Sequence, residues 1–216
     1  MQEAATFWSG PLGVFALLLL TALLLVITDW RLMALGIGLQ SVLLAILATR
    51  HSPFEWALLR MMTGGLVAIM WYLSAYAIDW GGHPVWWLSW RWPLLSAQGA
   101  LRLVMVLFVA ILLWVTRPWL RLEGIDRDLA LLCTWLVAMG LLVLSLGNEV
   151  LTAGIGLIWW LEAFHLYYPF LEHNLIVEGT VGMLKLVVGL ACAYLIVAQR
   201  EAAAAQPEAA GTQEQV

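Results

Sequence analysis

Six ionisable side chains occur in one strongly apolar stretch of the sequence, WWLEAFHLYYPFLEHNLIVEGTVGMLKLVVG at residues 159–189. Ionisable groups at the depth of a membrane are costly, and they tend to mark ion or proton pathways. Carboxylates, imidazoles and amines are also the groups that take up and release protons in proteins. The stretch therefore predicts proton or charge transfer by members of one set of residues: Glu162, His165, Glu172, His173, Glu178 and Lys185.

The same stretch is typical of two apolar helices that form a hairpin with its turn near Leu171. Glu162 lies about ten residues before this turn and Lys185 about thirteen residues after it, which places them roughly 15–20 Å deep. His165 and Glu178 are shallower, at about 10 Å each. Glu162 and His165 share a helix face at i, i+3, and Glu178 and Lys185 share one at i, i+7. We therefore expect two pairs across the hairpin, His165 with Glu178 and Glu162 with Lys185.

Two interpretations of these four residues remain open. In the first, they are structural pairs that hold the helices together, although a buried ion pair contributes little net stability. In the second, they form a proton or ion pathway, because burial disfavours the charged carboxylate and a nearby ammonium favours it. A change of partner would then move a proton. The residues assigned to this pathway are Glu162, Glu178, Lys185 and His165.

The composition of the chain indicates apolar helices that could surround these ionisable groups within a membrane. Of the 216 residues, 63% are hydrophobic and only 11% are charged, and the mean hydropathy is +0.92. A soluble domain of this size could not cover so much apolar surface. A membrane span needs roughly 20 apolar residues, and the sequence contains seven such runs. We therefore predict an all-α polytopic membrane protein with spans at 10–28, 32–49, 54–77, 100–116, 128–146, 149–168 and 175–198.

The spans form a single transmembrane domain, residues 1–198, followed by a tail at 199–216 that is predicted to be disordered because it is polar and rich in Ala. The first span has no basic region before it and is not expected to be a cleaved signal. Cys133 and Cys192 are expected to pack inside spans. Basic residues nearly balance on the two sides, so the orientation of the termini stays undetermined. The sequence contains no basic patch that would indicate binding to nucleic acid.

One long connection separates the third and fourth spans, DWGGHPVWWLSWRWPLLSAQG at 79–99. It is too polar to span a membrane and too aromatic for an ordinary loop, since Trp favours the interface between lipid and water. We expect residues 80–92 to lie in this interface. The alternative for this segment is a contact with quinone or lipid.

Two motifs recur along the chain at nearly the same offset. LGIGLQ at 35–40 returns as AGIGLIWWLE at 153–162, and SPFEW at 52–56 has a counterpart in YPFLEH at 168–173. The offset of Gly36 to Gly154 is 118 residues, and that of Pro53 to Pro169 is 116. An offset of four spans preserves direction across the membrane. Spans one to three and five to seven are therefore predicted to be parallel three-helix repeats joined by a connecting helix.

Three further polar positions lie in the first repeat. Gln40 cannot titrate and is expected to form a hydrogen bond between helices. Glu55 and Arg60 open the third span but, five residues apart, do not share a face. Each is expected to reach the interface or a partner, and Arg60 has a stem long enough to snorkel.

No cofactor or metal is expected. Glu162 and His165 supply one Glu-x-x-His pair of a di-iron site, but the sequence has no second pair. Haem would need facing histidines at membrane depth, whereas His51, His83 and His173 belong to loops. A phosphate loop, a nucleophile elbow and a nicotinamide fingerprint are also missing, so the chain is not expected to be catalytic alone.

Several motifs resemble hydrogenase-4 component E, which is similar to subunit K of NADH-quinone oxidoreductase and to the corresponding membrane component of multisubunit sodium/proton antiporters. The resemblance rests on the size, the seven spans, GIGLQSVLLAILA in span two, WWLEAFH in span six and IVEGTVGMLKLVVG in span seven. It implies that Glu162 matches the acid of the subunit-K signature and that Glu178 matches the acid that opens the last span, with Gln40 replacing the signature acid in the first repeat. Two positions depart from the family: span three has Thr63 and two glycines instead of a Lys, and Lys185 stands where an acid is usual.

The resemblance implies a non-redox subunit of a complex-I-like or hydrogenase-type respiratory assembly in the bacterial inner membrane. Its partners would be other membrane subunits, including antiporter-like ones, together with lipid. Its carboxylates would contribute to ion translocation coupled to electron transfer. Two alternatives from other classes are a stand-alone ion or solute transporter, and a scaffold that binds lipid, pigment or quinone.

Overall fold

The structure, a computed structural model, describes residues 11–27, 29–50, 52–78, 97–119, 125–147, 149–172 and 174–213. These residues form seven α-helices and one short 3₁₀ turn, Tyr168–Phe170. The Trp-rich segment 80–92 lies outside the described residues, and so do His51, His83 and His173. The helices are α1 Pro11–Val26, α2 Trp30–Ala48, α3 Phe54–Ala77, α4 Ala97–Thr116, α5 Arg127–Leu146, α6 Val150–Tyr167 and α7 Leu175–Gln213.

Six of these helices, α2 to α7, are long and apolar enough to cross a membrane. This confirms the predicted all-α polytopic membrane protein. The first helix is a shorter apolar helix of 16 residues, about 24 Å long at 1.5 Å per residue. It stops at Val26 because the chain turns there toward Asp29, whose Oδ1 accepts a hydrogen bond from the Arg31 amide at 2.9 Å and caps α2.

Helix α7 extends well past the end of the predicted span. A disordered tail is predicted from residue 199, whereas the helix continues to Gln213. The physical reason lies in the composition of REAAAAQPEAA at 200–210. Ala, Glu and Gln are strong helix formers, so they continue a helix that the membrane span has already nucleated.

The helix boundaries themselves repeat along the chain. Adding 118 to the bounds of α1, α2 and α3 gives about 129–144, 148–166 and 172–195. These ranges are close to the bounds of α5 and α6 and to the start of α7, which continues beyond its counterpart to Gln213. Each of these helices also packs against its counterpart: α1 against α5, α2 against α6, and α3 against α7. Helix α4 connects the two units and packs against α1 and α5.

Helices α3 and α7 pack closely and run in the same direction. The Trp71 indole Nε1 donates to the Gly189 carbonyl at 2.9 Å, and Arg60 contacts Glu178 near the start of both helices. Both contacts join residues 118 apart, which requires parallel helices. The approach depends on Gly189, where a Cβ atom would lie 2.8 Å from Val67 Cγ2. This packing brings the first turns of α3 beside α7.

Candidate functional site

Helices α6 and α7 bring together all four residues assigned to the pathway. They run antiparallel from the turn at Tyr168–Phe170, so residues at similar distances from the turn face each other. Lys185 Nζ lies 2.9 Å from Glu162 Oε1, and His165 Nε2 lies 2.7 Å from Glu178 Oε1. Both predicted pairs are thus present.

His165 also links the two pairs to each other. Its Nδ1 lies 2.6 Å from Lys185 Nζ, while its Nε2 faces Glu178 on the opposite edge of the ring. A charged ammonium only donates, and a carboxylate only accepts. The neutral imidazole that suits both neighbours therefore accepts at Nδ1 and carries its proton on Nε2.

Arg60 of α3 adds a third helix to the site, contrary to the expectation that it would reach the interface or snorkel. Its Nε donates to Glu178 Oε1 at 2.7 Å, and its Nη2 donates to the backbone carbonyl of His165 at 2.6 Å. The residue is only 2% exposed. The close packing of α3 against α7 explains the difference. It places the Glu178 carboxylate of the neighbouring helix beside Arg60, so the Arg60 side chain need not extend to the membrane surface.

Arg60, Glu178, His165, Lys185 and Glu162 together form an uninterrupted series of contacts of 2.6–2.9 Å, which we call the ion-pair chain. All five residues are buried. Two formal positive and two formal negative charges cancel when the imidazole is neutral. Charge neutrality and short contacts are what allow so many ionisable groups to remain inside an apolar protein.

Several polar atoms of the ion-pair chain are incompletely satisfied. Glu178 Oε2 has no hydrogen-bond partner among the described residues. Glu162 Oε1 lies within ion-pair distance of Lys185 Nζ but lacks the alignment of a hydrogen bond. His165 Nε2 is similar, close to Glu178 Oε1 but off the hydrogen-bond direction. Such groups are costly when buried, and each can accept or align with a proton after a small rotation.

The chemistry available to this arrangement is proton transfer along the ion-pair chain. Lys185 Nζ can pass a proton to His165 Nδ1 while His165 Nε2 passes its proton to Glu178 Oε1. One N–H bond breaks and one forms at the imidazole, which changes tautomer, and the carboxylate becomes a carboxylic acid. Lys185 then becomes neutral beside Glu162, which is free to bring in the next proton.

The remaining predicted polar positions lie outside the ion-pair chain. Gln40 Oε1 accepts a hydrogen bond from the Trp159 indole Nε1 at 2.8 Å, which confirms a bond between helices α2 and α6. Glu55 is exposed in the first turn of α3. The internal register of 118 residues pairs Glu162 with Leu44 rather than with Gln40.

The first three-helix unit carries apolar residues where the second carries most of the ion-pair chain. The counterparts of Glu162, His165 and Lys185 are Leu44, Leu47 and Val67, all of them buried. Within the ion-pair chain, Arg60 and Glu178 are the two residues at matching positions. Sequence reasoning missed the role of Arg60, yet the offset of 118 residues to Glu178 equals the offset of the glycine motif and was available as a signal.

Among the described residues, no group of three His, Cys, Asp or Glu side chains is arranged to hold a metal ion. His165 and Lys185 lie between the two carboxylates of the ion-pair chain. Lys185 and Arg60 neutralise the negative charge that a bound cation would need. Cys133 and Cys192 are buried free thiols. Compared with protein-family models, curated proteins and solved structures, the chain matches none of them.

Proposed function

We propose that this chain is a non-redox membrane-arm subunit of a complex-I-like or hydrogenase-type respiratory assembly in the bacterial inner membrane. In this assembly the ion-pair chain transfers protons, or responds to their transfer, as electron transfer proceeds elsewhere. The observation that carries the proposal is the position of His165, with one ring nitrogen beside Lys185 and the other beside Glu178. An imidazole held in this way is suited to moving a proton between two charged groups.

The cost of the arrangement also supports a functional role. A structural purpose would be served as well by apolar residues of similar volume, since replacing a buried ion pair with apolar groups is often neutral or stabilising. The first three-helix unit has Leu44, Leu47 and Val67 at the corresponding buried positions. The same helix arrangement thus packs without three of these charges.

The assignment to a respiratory assembly rests on the resemblance of spans two, six and seven to hydrogenase-4 component E. Exposed apolar residues on the outer faces of α4 and α7 would face lipid or antiporter-like subunits in this setting, for example Phe108, Trp114 and Met183. A stand-alone transporter remains the second candidate, favoured by the fact that the ion-pair chain is complete within one polypeptide.

The test of the proposed chemistry is the substitution Glu162→Gln, which keeps size and hydrogen bonding but removes titration. If Glu162 carries protons, the host complex should assemble normally while proton uptake into membrane vesicles falls sharply. If the residue is only a structural partner, Lys185 is left unpaired at a cost of roughly 3–5 kcal/mol. Assembly should then fail first, and Glu162→Gln combined with Lys185→Met should restore it. Normal yield with undiminished proton uptake would refute both roles.

The two candidate functions differ in what accompanies the chain. Native gel electrophoresis in a mild detergent should find it with larger membrane subunits if it belongs to a respiratory assembly. Migration as a single chain that drives ion transport in liposomes would instead establish the stand-alone transporter. The substitution Glu55→Gln, at an exposed acid of α3, provides a control that should leave both assembly and proton uptake unchanged.

A further inference from the structure

A cavity opens at the membrane face where α2 ends and α5 begins. It has a volume of about 210 Å³, and its rim carries charged residues of both signs. The exposed position of Arg50 and Asp126 places the rim in contact with the aqueous phase. The lining residues are Pro11, Val14, Leu47, Arg50, Asp126, Arg127, Asp128 and Leu129. We call this space the outer cavity.

A second, much smaller space shares two wall residues with the outer cavity. Its volume is about 10 Å³, close to the minimum that holds roughly one water molecule. Arg60 and Ser52 contribute polar groups to its wall. Leu166, which follows His165 in the sequence, also lines it. This inner cavity therefore ends at Arg60, the first member of the ion-pair chain.

Leu47 and Leu129 line both cavities. They are 2% and 4% exposed, so their side chains form the partition between the outer and the inner space. Two apolar side chains at a narrow point between hydrated spaces can stop water by dewetting, as hydrophobic constrictions do in channels. A small displacement of either leucine would join the cavities.

We infer that protons leave the ion-pair chain toward the membrane face that carries Arg50 and Asp128, through a gate formed by Leu47 and Leu129 and then through the outer cavity. The inference rests on the proposed function and adds the exit to it. Arg60 is a fixed cation at the start of this exit, between Glu178 and the inner cavity. The Glu178 carboxyl receives a proton from His165 and releases it to water beside Arg60, which restores the carboxylate that Arg60 binds.

The test uses cysteine variants of the full chain in vesicles of its host membrane, with a small cationic thiol reagent that does not cross lipid. Leu47→Cys and Leu129→Cys should react about tenfold faster than Leu136→Cys, because burial away from the cavities leaves only rare openings for reaction. Leu136 lies on α5 two turns beyond Leu129 and is fully buried. The wild-type chain, with buried Cys133 and Cys192, gives the background.

Reaction should occur from one side of the membrane only, the side from which the surface variant Arg50→Cys reacts. Val14→Cys is a conservative replacement in the outer cavity and keeps the test valid if a leucine variant fails to fold. Rates equal to that of Leu136→Cys, or reaction from the opposite side, would overturn the inference.

Combining these rates with the Glu162→Gln result separates the exit from the function. Slow reaction together with loss of proton uptake in Glu162→Gln would refute the exit and leave the proposed function standing. Fast, one-sided reaction with normal uptake in Glu162→Gln would refute both, and the cavities would be hydrated spaces without a part in transport. Fast, one-sided reaction with lost uptake supports both.

Discussion

Arg60 and Glu178 occupy equivalent positions of the two three-helix units, 118 residues apart, and Arg60 Nε donates a hydrogen bond to Glu178 Oε1 at 2.7 Å. A cation from one unit is thus neutralised by an anion from the same place in the other. Because α3 and α7 run parallel, the pair lies where the two units meet. This contact joins the second unit to a first unit that has apolar residues at the positions of Glu162, His165 and Lys185.

Removing one partner of this pair should destabilise the protein strongly. Arg60→Met leaves Glu178 with an unneutralised charge in an apolar interior, and we expect a loss of about 3–5 kcal/mol. Arg60→Met combined with Glu178→Met should recover most of the loss, since both charges are then gone. Reversible unfolding in mixed detergent micelles measures these changes.

The surface pair Arg117–Asp128 provides the control for this measurement. Its atoms are 3.1 Å apart, and its side chains are 41% and 42% exposed. Arg117→Met should therefore cost only about 0–1 kcal/mol. Similar losses for Arg60→Met and Arg117→Met would contradict the buried character of the Arg60–Glu178 pair.

His165→Gln should separate packing from proton transfer. Glutamine can still hydrogen-bond to its neighbours, but it cannot carry a proton from one edge to the other. We expect the variant to assemble with lower stability and to lose proton uptake in vesicles. Trp159→Phe, at a buried position of the same helix outside the ion-pair chain, should keep uptake. Retained uptake in His165→Gln would exclude a relay through the ring.

The tautomer of His165 can be observed directly. With an ammonium at Nδ1 and a carboxylate at Nε2, the ring should carry its proton on Nε2 in the resting state. Nitrogen-15 spectra of protein labelled at its four histidines, compared with spectra of His165→Gln, assign the signal. A resting signal with the proton on Nδ1 would disagree with the contacts described for Lys185.

Two neighbouring glycines of α3 should respond oppositely to alanine. A Cβ atom at Gly64 would collide with the Ser41 side chain, only 2.5 Å from its Cβ, whereas none of the described atoms lies within 4 Å of a Cβ atom at Gly65. We expect Gly64→Ala to destabilise the protein by about 1–3 kcal/mol. Gly65→Ala should be neutral or stabilising by up to about 1 kcal/mol. Unfolding of the two variants under the same conditions tests the contrast.

The hydrogen bond between Gln40 and Trp159 should contribute modestly to the stability of the folded protein. In a double-mutant cycle of Gln40→Leu and Trp159→Phe, we expect a coupling energy of about 0.6 kcal/mol, and no more than about 1.7 kcal/mol, as for other hydrogen bonds between membrane helices. Proton uptake should be unchanged in all three variants, because neither residue belongs to the ion-pair chain. A loss of uptake in Gln40→Leu would place Gln40 in the pathway.

The spans and the two hairpin pairs could be predicted because they depend on local properties of the sequence. Hydropathy and length determine where α2 to α7 lie, and distance from a turn determines which residues of α6 and α7 face each other. The pairing of Glu162 with Lys185 is thus a consequence of counting along two adjacent helices. The predicted first span, 10–28, extends two residues past the end of α1 at Val26, because hydropathy does not locate the end of the helix.

Arg60 could not be placed by the same reasoning. Its partner lies on a helix 118 residues away, and which helices pack together depends on side-chain shape across the whole bundle. The glycine at position 189 lets α3 and α7 approach, but its effect is visible only once these helices are known to be neighbours. The cavities beside Leu47 and Leu129 have the same origin, since separate segments of the chain form their walls.

The contact between Arg60 and Glu178 has a consequence for how the protein is made. Ribosomes synthesise Arg60 first, and 118 further residues must follow before its anion exists, a delay on the order of ten seconds. Throughout that interval α3 carries an unneutralised guanidinium, which lipid would accept only at high cost. The hairpin of α6 and α7 arrives with the opposite imbalance, two carboxylates and one ammonium. We therefore expect an insertion machinery to shelter α3 from lipid until the last helix emerges.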